Sequence, residues 1–135
     1  MRLLGLAWGK AESKDVADAA KQLIQEQRPS GGWSQLPGLE ADAYATGQAL
    51  VALYQSGQMA ATNPVYQRGV EFLLRTQLAD GSWLVHTRSF PVQAPKDSGF
   101  PHGKHQWISA AGSSWAAMAV AYSIEAPAAP MTLGR

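Results

Sequence analysis

Apolar residues recur at helical spacing in two segments of the chain and predict two amphipathic helices. The first begins at Ser13, which is placed to cap it, and runs to Arg28, because Pro29 disfavours helical backbone in the residue before it. The second begins at Asn63 and Pro64, an N-cap residue followed by proline at the first helical position. Each helix carries one apolar stripe, so both are predicted to lie in an outer layer with a polar face toward water.

Two further predicted helices are small or apolar on nearly all sides. Asp42 is placed to cap the first, which ends near Gly57, and the second extends from Ser109 to Ser123. A helix that lacks a polar face is usually enclosed by other helices. Both are therefore predicted to lie inside the assembly.

A shift of about fifty residues brings two parts of the chain into register. The matching pairs are Leu23 with Leu73, Ile24 with Leu74, Gln27 with Gln77, Gly31 with Gly81 and Trp33 with Trp83. This pattern predicts two helical-pair modules, residues 13–62 and 63–125. Residues 1–12 are then the end of a preceding helix, and residues 126–135 have the composition of a disordered tail.

Composition narrows the classes of function. The chain has 135 residues and a formal net charge of +1, so we expect one domain and no electrostatic attraction to nucleic acid. Cysteine is absent, which excludes disulfides and thiolate ligands and leaves the cellular compartment undetermined. No run approaches the roughly 20 apolar residues of a membrane span, and we expect a soluble chain.

The stretch from Arg68 to Trp83 resembles a known motif. Its pattern, Arg-Gly-(two)-Phe-Leu-Leu-(two)-Gln-(three)-Gly-Ser-Trp, resembles the QW repeat of squalene and oxidosqualene cyclases and of the wider prenyltransferase and squalene-oxidase repeat family. Gln27 to Trp33 is a shorter match. The resemblance implies an all-α fold of the α/α toroid type, in which outer and inner helices alternate around a cavity. About two helical-pair modules of such a ring are present, with a long loop between Trp83 and Ser109.

The resemblance also implies that the repeated glutamine, glycine and tryptophan residues have a structural role. A glutamine at a helix end can bond the backbone of the next element, glycine permits the turn, and tryptophan adds an apolar face with one donor. We interpret Gln27, Trp33, Gln77, Gly81 and Trp83 as a structural clamp. Because repeats bury their faces only against neighbours, the predicted partner is the remainder of a larger parent chain or a second copy.

The sequence contains no residue pattern that predicts catalysis. Squalene-type cyclases use an Asp-x-Asp-Asp motif as the general acid, and that motif is absent here. Asp42 is interpreted as a helix cap, with a cavity-facing acid as the alternative. His86, His102 and His105 are interpreted as loop histidines, with a metal site as the alternative. We predict no catalytic residue, no metal and no cofactor.

Aromatic and basic side chains in the long loop, with residues of the enclosed helices, form a candidate ligand site. An amphipathic or anionic ligand such as an isoprenoid diphosphate is one hypothesis for the loop, and pinning of the loop by its aromatic residues is the other. For Tyr44 and Trp115, on the enclosed helices, core packing is the alternative to lining a cavity. The resemblance adds an apolar or isoprenoid ligand. The candidate ligand-binding residues are Asp42, Tyr44, Arg88, Phe100, His102, His105, Trp107 and Trp115.

Three functional hypotheses follow. The first is a terpenoid-cyclase-like or prenyltransferase-like repeat segment, inactive alone, that contributes cavity wall or a clamp to a larger protein or oligomer. The second is a non-catalytic binding or scaffold module. The third is a metal-dependent hydrolase that uses the histidines of the long loop. Fold alone does not choose between them.

Overall fold

A computed structural model describes residues 1–90, 92–94 and 96–124. Within these residues the fold is all-α, as predicted, and the predicted tail at 126–135 lies outside them. The helices are α1 (Arg2–Trp8), α2 (Ser13–Gln25), α3 (Ala43–Gln55), α4 (Pro64–Thr76) and α5 (Gln106–Ile124), the last preceded by a 3-10 turn at Gly103–His105. No strand forms in the described ranges, where a single bridge pairs Ser34 with Ala41.

The caps of α3 and α4 are those that the sequence predicted. The Asp42 carboxylate accepts a hydrogen bond from the Ala45 backbone N–H at 2.8 Å. The Asn63 side chain accepts one from the Val65 N–H at 2.9 Å, with proline at the first helical position. Each bond satisfies a backbone donor that has no partner within the helix.

The bounds of α2 differ from the prediction at both ends. Ser13 is the first helical residue, and Glu12 occupies the N-cap position without a side-chain bond. The helix ends at Gln25, before the predicted Arg28. The cause is a tightened last turn, in which the Glu26 N–H donates to the Leu23 carbonyl three residues back.

Helix α5 begins at Gln106, earlier than the predicted Ser109, because the 3-10 turn prepares its first turn. His102 has left-handed backbone with φ of 86°, and its carbonyl accepts from the His105 N–H at 2.9 Å. The turn thus directs the chain into α5 before the run of small residues is reached.

Helices α3 and α5 form the inner layer and pack along each other most extensively. They approach closely at Gly47, where a Cβ would lie 2.6 Å from the Ala116 backbone nitrogen. Helix α1 packs beside α3, α2 packs on α1, and α4 covers both α3 and α5 from outside. No helix in the described part of the chain, α5 included, combines the length and the hydropathy needed to cross a membrane.

The prediction that both inner helices are enclosed holds for α3 but only half holds for α5. Leu50, Val51 and Leu53 of α3 are fully buried. Helix α5 buries Ala116 and Ala119 against its neighbours, whereas its other side is open to solvent. The exposed residues on that side include Ser114, Ala117, Met118, Ala121 and Ile124. The fold therefore has an apolar edge at α5.

Candidate functional site

The two repeated tryptophans make equivalent contacts. The Trp33 indole N–H donates to the Leu23 carbonyl at 2.7 Å, and the Trp83 indole N–H donates to the Leu73 carbonyl at 2.8 Å. The side chains are 2% and 4% exposed. Each ring therefore folds back on the helix that precedes it and satisfies one carbonyl near the end of that helix.

Gln27 connects the turn that follows α2, which we call the first turn, to the next outer helix, α4. Its Nε2 donates to the Gly31 carbonyl and to the Val65 carbonyl in α4, both at 2.9 Å. Its Oε1 accepts from the Arg68 guanidinium at 2.7 Å. Both ends of the Gln27 amide are thus bonded, and two of its three bonds join it to α4.

Gln77, in the turn that follows α4, which we call the second turn, bonds its own turn but no other helix within the described residues. Its Nε2 donates to the Gly81 carbonyl at 2.9 Å, as in the first copy. Within the described residues no outer helix lies beyond it, and its side chain is exposed. The adjacent Leu74 is 53% exposed. The second turn thus presents the same bonding groups, and within the described residues no further outer helix lies against them.

An apolar groove runs along this open side, and we call it the α4–α5 edge. It has a volume of about 770 Å³. Its lining includes Leu74, Gln77, Gly81, Phe100, Ala117, Val120, Ala121 and Ile124. The predicted ligand residue Phe100 lies here, apart from the basic part of the long loop.

The first residues of the long loop run along the start of α5 and form a ladder of hydrogen bonds with it. The pairs, each at 3.0 Å, are Trp83 N–H to Ser113 Oγ, Val85 N–H to Ser109 Oγ and Thr87 N–H to His105 Nδ1. Alternate residues of an extended chain lie about 6.6 Å apart, and residues four apart in a helix lie about 6 Å apart. The two spacings match, so three successive donors are satisfied.

The ladder gives His105 a role as a hydrogen-bond acceptor that was not predicted from the sequence. The sequence feature that indicates this role is the spacing of four residues between His105, Ser109 and Ser113, which places the three side chains on one side of a helix. Burial, and then the positive charges of His86, Lys104 and His102, lower the pKa of His105 below its ordinary 6.5. The lowered pKa keeps Nδ1 free to accept from Thr87. This contribution to stability is present above pH 6.5 and decreases as the pH falls through that value.

His102 points to a different part of the molecule. Its Nε2 lies 2.8 Å from Ser82 Oγ, and Ser82 donates to the Asp80 carboxylate at 2.6 Å. Hydrogen bonds from Ser82 lower the pKa of Asp80. Because its hydroxyl proton is directed to a carboxylate, Ser82 accepts from His102, the reverse of the order that activates a serine nucleophile.

The three loop histidines are not gathered around one point. The His86 and His105 rings meet edge to face with centroids 4.8 Å apart, while His102 is bonded to Ser82. In residues 1–90, 92–94 and 96–124, no group of three or more histidine, cysteine, aspartate or glutamate side chains is placed to hold a metal ion.

Asp42 is held by bonds on both carboxylate oxygens. Oδ1 accepts from the Ala45 N–H, and Oδ2 accepts from the Gln35 amide at 2.6 Å. Gln35 in turn accepts from Arg88 Nε at 3.1 Å. Asp42 therefore caps α3 and, through Gln35, helps to orient the arginine of the long loop.

We expect Asp42→Ala to destabilise the fold by about 1 kcal/mol through loss of the cap. Asp42→Asn keeps a side-chain oxygen that can accept from Ala45, so its cost should be smaller. Urea denaturation of the two variants measures the difference. Equal destabilisation by both substitutions would show that the charge or the bond from Gln35, and not the cap, is what matters.

Arg88 lines three cavities, and the two larger ones adjoin the N-terminal end of α3. The smaller of these two, about 340 Å³, is lined on one side by Glu40, Asp42 and His86. The larger, about 840 Å³, is lined by Tyr44, Thr87, Arg88, Ser89, Phe90, Gln93, Lys104, Trp107, Ile108 and Ala111. Four of the predicted ligand residues thus adjoin these two cavities.

Trp115 lies in the packing between α3 and α5. It is partly buried against the core, and a Cβ at Gly47 would lie 2.8 Å from its own Cβ. The predicted ligand residues therefore separate into those around Arg88, those in or beside the ladder and the α4–α5 edge, and Trp115 in the helix interface.

Comparison with known proteins gives one family. A family model described as the squalene-hopene cyclase C-terminal domain matches residues 1–132. The matched range includes the turns that contain Trp33 and Trp83 and the two larger cavities beside Arg88. No solved structure matches the chain. The match confirms the resemblance inferred from the Arg68 to Trp83 motif.

Proposed function

Because the chain belongs to the squalene-hopene cyclase C-terminal domain family, we propose that it is a helical-repeat segment of a larger cyclase-like assembly. Its α4–α5 edge receives another helical repeat, and its inner helices contribute part of a cavity wall. The repeated glutamines and tryptophans act as clamps between outer helices. The chain has no cyclase activity alone.

The difference between Gln27 and Gln77 supports this proposal more than any other observation. Gln27 bonds both its own turn and the backbone of the next outer helix, while Gln77 bonds its own turn alone within the described residues. The Gln77 amide is held in place by its bond to Gly81 and has a second N–H donor and an oxygen acceptor. These groups are suited to bond the backbone of a helix from another repeat.

The inner helices support the same conclusion. Thr46 of α3 and Ser113 of α5 each accept a hydrogen bond from the backbone N–H of a repeated tryptophan. One turn further along, Leu50 is fully buried, and a Cβ at Gly69 of α4 would lie 2.8 Å from its side chain. The equivalent residue of α5, Ala117, is exposed. The edge is therefore uncovered where the first module is covered by an outer helix.

The occupant that fits this edge is another helical pair of the same kind. Repeat modules bury their apolar faces against neighbours and gain stability from each interface. Such a pair can come from the rest of a longer chain or from a second copy of this one. A second copy would join through a different surface from the one it offers, which is a head-to-tail contact.

The chemistry of the described residues favours a role as part of a cavity wall and not a role as the acid catalyst. The Asp-x-Asp-Asp motif is absent, and Asp42 is engaged through both oxygens. A cyclase needs an acid that can deliver a proton to its substrate. We therefore assign the acid to another part of the assembly. Cyclised product from squalene and the purified chain would contradict this assignment.

Sedimentation velocity over a range of concentrations tests the edge. We expect the chain to self-associate and Leu74→Glu to weaken the association at least about tenfold, because a charge replaces a leucine that the contact would bury. Leu36→Glu is the matched control, since Leu36 is 51% exposed and lies away from the edge. A monomeric wild-type chain at high concentration, or equal effects of the two substitutions, would count against the proposal.

A further inference from the structure

We propose that the larger cavity beside Arg88 binds an amphiphile that has one anionic head and a hydrocarbon tail. We call this cavity the Arg88 cleft, with the lining residues given above. It lies between the N-terminal ends of α3 and α5 and the long loop, and it does not include the α4–α5 edge. The inference is thus independent of how the repeats assemble.

The wall of the Arg88 cleft offers apolar surface for a tail. Trp107, Ile108 and Ala111 line it from α5, and Tyr44 lines it from α3. The Trp107 ring is 58% exposed, and its indole N–H donates to the Lys96 carbonyl at 3.1 Å, which fixes the orientation of the ring. The cleft volume of about 840 Å³ lies within the range of pockets that hold small organic molecules.

The rim of the Arg88 cleft is cationic. Arg88 and Lys104 both line it, and no acidic residue is among its lining residues in the described part of the chain. Arg88 donates from Nε to Gln35 at 3.1 Å, and within the described residues its terminal guanidinium nitrogens make no hydrogen bond, so they are the groups that would meet an anion. Positive charge beside an apolar wall is complementary to an amphiphile with a negative head.

The rim is held in position by contacts outside the cleft. The ladder bond from the Thr87 N–H to His105 fixes the residue before Arg88 and ties it to the turn that carries Lys104. Gln35, which holds Arg88, is itself bonded to the Asp42 cap of α3. Arranging the cations before binding lowers the entropic cost of capturing a ligand.

Isothermal titration calorimetry with dodecanoate below its micelle concentration tests the site. Dodecanol supplies the same tail without the charge, and acetate supplies the head without the tail. We expect saturable binding of dodecanoate, binding of dodecanol at least about tenfold weaker, and no detectable binding of acetate. Equal affinity for dodecanoate and dodecanol, or no saturable binding of dodecanoate, would overturn the proposal.

Charge variants locate the site. The double substitution Arg88→Gln with Lys104→Gln should weaken dodecanoate binding at least about tenfold and leave dodecanol binding unchanged. Lys14→Gln with Lys21→Gln is the matched control, because it removes the same charge from exposed positions of α2. An equal loss in the control pair would show a net-charge effect and overturn the assignment.

The same head and tail also occur at a membrane surface, and a vesicle experiment separates the two sources. Vesicles of neutral phosphatidylcholine and vesicles that contain anionic phosphatidylglycerol are compared by co-sedimentation with the chain. We expect saturable binding of monomeric dodecanoate to compete with any vesicle binding. Binding to anionic vesicles without binding to monomeric dodecanoate would overturn the proposal of a single-molecule cleft.

Discussion

Trp83→Ala is expected to lower the free energy of unfolding by about 3 kcal/mol or more. The substitution removes a side chain that is 4% exposed and leaves a cavity at the junction of α4, the long loop and α5. It also leaves the Leu73 carbonyl without its indole donor. Denaturant-induced unfolding, followed by far-UV circular dichroism, measures the change.

Trp8→Ala is the control for Trp83→Ala, because Trp8 is 65% exposed at the end of α1. Its loss should change stability by no more than about 0.5 kcal/mol. Similar losses from the two substitutions would mean that the tryptophan turn does not stabilise the fold. An unchanged unfolding curve for Trp83→Ala would contradict the clamp directly.

Gly31→Ala is expected to be more damaging than Gly81→Ala by about 2 kcal/mol or more. Both glycines have left-handed backbone, with φ of 91° and 84°. Both substitutions therefore carry the strain of an L-residue in that conformation, about 1–2 kcal/mol. At Gly31 the new Cβ would also lie 3.0 Å from the Arg68 carbonyl carbon in α4, whereas at Gly81 its nearest neighbour is the Gln77 amide at 4.0 Å.

The Gly31 and Gly81 pair is measured by urea denaturation at a concentration where the chain is monomeric. The difference between the two losses isolates the collision with α4, because the backbone strain is common to both. Equal losses would show that α4 does not press on the first turn. At concentrations where the chain associates, Gly81→Ala should also weaken association if an outer helix docks there as α4 docks on Gly31.

The turns that follow α2 and α4 have the same local structure, but only the first of them is covered by another helix within the described residues. At the first turn, Gln27 and Gly31 are covered by α4. At the second turn, Gln77 and Gly81 stand at an open groove. The same local structure is therefore observed with and without a neighbour, so each residue of the first turn has a matched control in the second.

Much of the fold followed from local sequence. The caps at Asp42 and Asn63 were predicted because their side chains act on backbone groups two or three residues away. The separation into outer and inner helices was predicted from one apolar stripe in contrast to an apolar surface on all sides. The all-α class and the family followed from the repeated turn and its glutamine and tryptophan.

The candidate site was less predictable, because its parts are distant in sequence. Phe100 and Arg88 belong to the same loop, yet they lie in different cavities. His102 and His105 are close in sequence, yet one bonds Ser82 and the other bonds Thr87. A left-handed residue at His102 and the 3-10 turn that follows separate them.

The sequence by itself determined the all-α class, where α3 and α4 begin, and the repeated glutamine, glycine and tryptophan of the turns that follow α2 and α4. Capping, helical periodicity and glycine turns act over a few residues, so their effects are visible in the order of the amino acids. Tertiary structure alone decided that Gln27 is covered and Gln77 is open, that the long loop follows α5 through a ladder, and that Arg88 and Lys104 share a cleft. Those outcomes depend on which helix packs beside which, and such contacts join residues far apart in the chain.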